Sequence, residues 1–170
     1  TGGVPRDFLV ILSEIIKIAR SESSPVIRKE HLYSAISDLR QDKDQNIEIE
    51  CDILPEKLRR ALEIIQNEVI DGLKTNVILY PSKIVKEHEQ VLKNLVNLRY
   101  LHIINDNTSS ERVKKEAFTS YLVDMTFYAT GKRLKQNFDF RQFWVQDSGH
   151  RHTQLRSAPI WNFEDGFIKS

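Results

Sequence analysis

Three groups of residues in this chain have types and spacings that could do chemistry, and all three are cationic, suited to anions. The first is a single arginine. Gly2-Gly3-Val4-Pro5-Arg6 runs straight into an apolar helical pattern. Pro5 suits the first turn of a helix, where its missing N–H is not needed. Arg6 then falls in that turn, where the helix dipole disfavours a cation. A guanidinium there points outward, either at a negative group or simply into solvent. The second group is a spread of cations: Lys83, Lys86, Lys93, Arg99, Arg112, Lys114 and Lys115, interleaved with Glu87, Glu89, Asp106, Glu111 and Glu116. Such lysines on phosphates give salt-sensitive, sequence-independent affinity; the alternative is a solvated surface of mixed charge. The third group is Lys132, Arg133, Lys135, Arg141, Arg151 and Arg156, against Asp139 and Asp147. Phe138, Phe140, Phe143 and Trp144 are interleaved with it. These rings could stack on exposed bases or fill a core.

Other chemistries find little support. His150-x-His152 could supply two metal ligands, but Cys51 is the only thiol and no carboxylate pair has recognisable spacing. The doublet reads as surface. His31, His88 and His102 lie inside helical or strand patterns and read as packing or surface residues. Ser148-Gly149-His150 lacks the G-x-S-x-G frame of a nucleophile elbow. None of the six glycines belongs to a G-x-x-x-x-G-K-[ST] phosphate loop. No enzyme active site and no cofactor site is expected within this chain.

The elements that must position these groups follow from hydrophobic spacing. Pro5 to Ser21 carries Phe8, Leu12, Ile15 and Ala19 at helical intervals, with Leu9, Ile11, Ile16 and Ile18 widening the stripe. So broad a stripe predicts burial on most sides. Ser23-Ser24-Pro25 breaks the chain, and a second helix is expected from about Arg28 to Arg40. Between 42 and 56, Asp42, Asp44, Glu48, Glu50, Asp52 and Glu56 face one cation, Lys43. That stretch reads as a solvated acidic linker or a short surface helix, or as a contact for a basic neighbour. A third helix is expected from Pro55 to Ile70, a strand over 76–80 stopped by Pro81, and a fourth helix over 84–98. A strand over 100–104, a polar stretch over 105–116 and a last strand over 118–128 complete the pattern. Trp161 and Phe163 are expected to anchor the end of the chain on this body.

The fold class is therefore mainly α with a small antiparallel β-sheet. The order helix, short strand, helix, strand, polar loop, strand is that of a winged helix, with the polar loop as the wing and the helix before it as the groove-reading element. A standard winged helix carries one more helix between the first strand and the reading helix. Here Pro81 to Val85 leaves room for a turn or two. Four parts are expected: helices over 1–41, the acidic linker over 42–54, a winged-helix-like domain over 55–130, and a basic, aromatic extension over 131–170.

Gly-Gly-x-Pro-Arg at the head of an amphipathic helix resembles the sensor-2 motif in the lid of AAA+ ATPases, nearest to origin-recognition-type and related prokaryotic members. The resemblance implies that residues 1–41 are a lid remnant, that Arg6 reaches the γ-phosphate of a nucleotide, and that ATP and Mg²⁺ are held by the AAA+ core domain of the same chain. The sequence opens without methionine and in mid-motif, so the resemblance implies a longer parent protein that is itself an ATPase. It also implies that lid and winged helix pass nucleotide state to DNA. A winged helix serving as an oligomerisation or effector-docking module, with no nucleic acid, is the alternative. The chain's 40% hydrophobic and 29% charged residues fit a folded protein. No apolar run approaches the roughly 20 residues needed to cross a bilayer, so no membrane partner is expected. One cysteine excludes an internal disulfide and suits a reducing, cytoplasmic compartment.

Overall fold

The computed structural model describes residues 5–50, 53–84, 86–139 and 153–163. The element order is α1 (Pro5–Ser21), α2 (Lys29–Glu50), α3 (Pro55–Ile64), a π-helical continuation (Ile65–Leu73), β1 (Val77–Pro81), α4 (Lys86–Asn97), β2 (Leu101–Ser109), β3 (Ala117–Val123) and a 3₁₀ turn (Met125–Phe127). The fold is mainly α with one three-stranded antiparallel sheet, in the order β1-β3-β2.

The sequence spacing of α1 predicts burial on most sides, and that is not what the fold does. Ile11 and Ile15 pack on Ala35 and Ile36 of α2, with Ile18, Leu32 and Leu39 around them. Phe8, Leu9, Val10 and Ile16 remain exposed, Leu9 by 62%. The reason is that α1 has one principal neighbour, α2, and one neighbour covers one stripe. His31 is buried at the α1–α2 turn, where Nδ1 accepts the Arg28 N–H at 3.1 Å and Nε2 lies 2.9 Å from Glu22. Accepting on Nδ1 places the ring proton on Nε2, facing the carboxylate.

The sequence leaves the acidic stretch open between a solvated linker and a short surface helix. Residues 42–50 are helical, not as a separate element but as the C-terminal part of α2, which runs on to Glu50. Arg40, Lys43, Asp44 and Ile47 recur at helical spacing and form one face. Lys43 and Ile47 are buried, because that face lies on the sheet body while Asp42 and Glu48 are exposed.

Each strand alternates between two cores. Ile78, Tyr80, Tyr121 and Val123 point to the α3–α4 side with Leu58, Leu62, Ile65, Leu92 and Leu95. Val77, Leu79, Phe118 and Leu122 point to the other side, where Phe138, Leu155 and Ala158 cover them. The unbroken apolar run Val77-Ile78-Leu79-Tyr80 is thus a strand buried on both faces. The C-terminal segment also closes the β1 edge: the Leu79 N–H donates to the Pro159 carbonyl and the Trp161 N–H to the Leu79 carbonyl, both at 2.9 Å, as a parallel bridge. Asn76 secures the start of this cover, donating to Asn137 and Tyr128 and accepting the Phe138 N–H. Trp161 and Phe163 are buried on the body as expected.

Two further boundaries shift for local reasons. Half of the polar stretch expected as loop is strand, since β2 continues to Ser109 as an outer strand with polar side chains in water. Its pairing with β3 slips between Ile103 and Asn105 and again between Asn105 and Thr108, two bulges that bend the edge. The third helix widens into π turns before ending at Lys74, which is left-handed at φ 55°. Gly72 sits where this wide turn brings the Asn67 carbonyl within 3.2 Å of any added Cβ.

Candidate nucleic-acid interface

The hairpin of β2 and β3 is joined by 110–116, so Arg112, Lys114 and Lys115 lie on the connecting loop, all exposed. The loop is ordered by its own chain: Ser110 is buried and its Oγ accepts the Arg112 N–H at 3.1 Å. Lys115 takes φ 69°. Pro81 lies opposite Phe118, and the Ser82 N–H donates to the Ala117 carbonyl at 3.0 Å. The 82–84 turn and the start of α4 therefore sit at the loop end of the sheet. Lys83 and Lys86, both exposed, join that end. The spacing of α4 buries Val91, Leu92 and Leu95 and leaves Lys86, Glu89, Lys93 and Asn97 outward. That outer face mixes both signs of charge.

Arg99 does not belong to this group. It precedes β2 at the opposite end of the strand, and nine strand residues at ~3.3 Å each put it roughly 25–30 Å from the loop. Lys93 lies between, on the middle of α4. Arg6 is in the first turn of α1, but its side chain lies outside the described residues, as do Gly2 and Gly3. His150, His152 and Arg151 also lie outside them. Among the described residues no cluster of three metal-ligating side chains occurs. Also among the described residues, no helix is long and apolar enough to cross a membrane.

A second polar constellation joins α2 to the sheet, and the sequence reading missed it. Asp124 is 1% exposed and follows β3. Its Oδ1 lies 3.0 Å from the Lys43 Nζ and accepts the Thr126 N–H and O–H; its Oδ2 is 3.2 Å from the His102 Nε2. Burial alone would raise this carboxyl, but the His102 contact, the Lys43 charge and the Thr126 hydroxyl outweigh it and hold it well below the usual carboxylate range. Lys43 donates in addition to the Arg99 carbonyl at 3.1 Å. At the neighbouring residues the Tyr100 hydroxyl donates to Asp44 at 2.6 Å, and the Arg40 guanidinium lies over the Phe127 ring at 4.2 Å while pairing with Asp44. Burial first, then the Asp44 contact, raises the Tyr100 phenol far above its ordinary value, so it keeps the proton it donates to Asp44.

Beside this junction is a cleft of about 600 Å³ between α2, α3 and the 3₁₀ turn. Its cations Arg40, Arg59 and Lys132 are each taken by a carboxylate, of Asp44, Glu48 and Asp71 respectively. Neutralised in this way, the cleft is not set for an anionic ligand. The sequence signal for the junction was the spacing of Arg40, Lys43 and Asp44 on one helical face, masked by the net acidity of the stretch. The chain matches no protein-family model, no curated protein and no solved structure.

Proposed function

We propose that this chain is the lid and winged-helix region of an AAA+-like ATPase and that it couples nucleotide state to binding of duplex DNA. The observation that carries the reading is the continuity of α2. Its first half packs on α1 in the helical hairpin, and its second half is fastened to the sheet through Lys43, Asp44 and Ile47. A change in hairpin orientation is delivered to the sheet by one rigid helix rather than absorbed in a linker.

The chain has no phosphate loop, so ATP and Mg²⁺ would be held by the core domain of the parent, in a reducing, cytoplasmic setting. The contribution expected from this chain is the Arg6 guanidinium, whose planar, always-charged fork suits phosphate oxygens. Arg6→Ala in the intact ATPase is expected to lower turnover at least tenfold, as removal of a charge-stabilising donor does. Unchanged ATP affinity and turnover would remove the assignment.

At the other end, the loop cations, Lys83 and Lys86 would bind phosphates, with α4 toward the groove. The test is binding of a random-sequence DNA duplex as a function of salt. Wild type should lose affinity steeply between about 50 and 200 mM salt, and the combined Arg112→Ala, Lys114→Ala, Lys115→Ala variant should lower the log–log slope by about 2.7. Absence of binding even at about 50 mM salt overturns the DNA reading. That outcome would leave a protein-interaction module, a second reading favoured by the exposed apolar face of Phe8, Leu9, Val10 and Ile16 and by the mixed charge on α4.

A further inference from the structure

The segment 153–163 begins thirty residues beyond the end of the hairpin in sequence, yet it is built into the same body. Leu155 and Ala158 complete the core on the second sheet face, and Val113 of the β2–β3 loop packs against that core. The Glu111 N–H donates to the Arg156 carbonyl at 3.0 Å, one residue from Arg112. Arg156 itself is exposed. Among the described residues, no ion pair ties Arg156, Arg112, Lys114 or Lys115 to a carboxylate; Glu111 and Glu116 are the acidic neighbours along the loop.

We infer that Arg156 is a further phosphate contact of the nucleic-acid surface, presented beside the wing by a C-terminal segment that also holds the wing in place. The inference rests on the DNA reading above and extends it to a residue far away in sequence. Two separate attachments make the presentation fixed rather than incidental. The segment is held from below by Leu155 and Ala158 and along its length by the β1 bridge at Leu79 and Ile160. It is held at the wing through a backbone carbonyl, which leaves the guanidinium uncommitted. A phosphate chain crossing the wing would therefore meet four cations from two segments of the chain rather than three from one loop. Duplex backbone is the ligand class this suits, because its charges recur along a line and reward several weakly placed cations together.

The experiment uses the full chain and a short random-sequence DNA duplex, with affinity measured across a salt series for wild type, Arg156→Ala, Arg156→Lys and the triple loop variant. Arg156→Ala should lower the log–log slope by about 0.9 and weaken binding roughly three- to tenfold near 0.1 M salt, with Arg156→Lys restoring most of both. Thermal midpoints should be unchanged, since the segment is seated by its backbone and by Leu155, not by the guanidinium. If wild type binds and the triple variant loses affinity while Arg156→Ala matches wild type in slope, the inference fails and the DNA reading stands. A loss that is equal at every salt concentration also overturns it, because a phosphate contact must change the slope. If wild type does not bind at all, the DNA reading fails and takes the inference with it.

Discussion

Lys43→Ala is expected to destabilise the protein by about 3–5 kcal/mol, because it leaves the Asp124 charge in a site that is 1% exposed without its ammonium partner. The Arg99 carbonyl loses its donor in the same change. Asp124→Asn should be of similar size, since it removes the buried carboxylate charge that Lys43, His102 and Thr126 face. The double variant should lose much less than the two single losses combined, because neither charge is then left alone. Urea unfolding of the four proteins measures the coupling; simple additivity would mean that the two residues do not act as a pair. The same carboxylate sets a pH dependence. Its folded value lies well below the unfolded value of ~3.9, so it contributes stability above about pH 4, and that contribution is lost as the pH falls toward the folded value. Wild type should therefore lose stability faster than Asp124→Asn below about pH 4. Parallel curves in that range would count against the assignment.

Trp161→Ala should be comparably severe, at about 3–5 kcal/mol. The indole is buried against Tyr80 and Phe163, with ring centroids 6.0 and 4.8 Å away, and its Nε1–H donates to Glu68 at 2.7 Å. Removing it opens a cavity on the α3–α4 side of the sheet and loosens the β1 bridge from which the C-terminal segment hangs. Trp161→Phe keeps most of the apolar area and should lose only the indole bond and part of the packing, about 1–2 kcal/mol. Guanidinium unfolding curves for the pair check this. Near-equal losses would show that shape, rather than buried area, sets the requirement.

What could be read from the residues follows from how local each signal is. The helices α1, α3 and α4 announce themselves through a period of 3.6, and β1 through an apolar run closed by Pro81; the last strand, expected over 118–128, stops at Val123 because the Asp124 side chain caps a 3₁₀ turn there. The burial of Trp161 and Phe163 could also be anticipated, since two large apolar side chains near each other rarely stay in water. Three features depended on distant partners. A short helix over 42–50 could be read, but its continuity with α2 and its buried face could not, because the acidity looked like solvation and the contacts it makes are with Tyr100 and Asp124, more than fifty residues away. The exposed face of α1 could not be distinguished from a buried one, because pattern alone does not say how many neighbours a helix has. The second cover of the sheet did leave a sign, the four consecutive apolar residues of β1, which demand apolar contact on both sides. Of the candidate interface, the loop cations and Lys83 and Lys86 converge, whereas Arg99 shares their charge but not their end of the sheet. The place of Arg156 beside the β2–β3 loop had no local signature, because a backbone hydrogen bond from Glu111 sets it there.

The bridge between Leu79 and Ile160 also has a consequence for synthesis. A chain emerging amino-terminus first completes the α1–α2 hairpin early from nearby residues, but its sheet keeps one bare flank until residues 155–161 have been made. The nascent protein passes through an interval with β1 unprotected on one edge and one face, when it is most open to chaperone capture or to pairing with a neighbouring nascent chain. The loop between β2 and β3 gains its backbone contact with Arg156 only once that segment has been made.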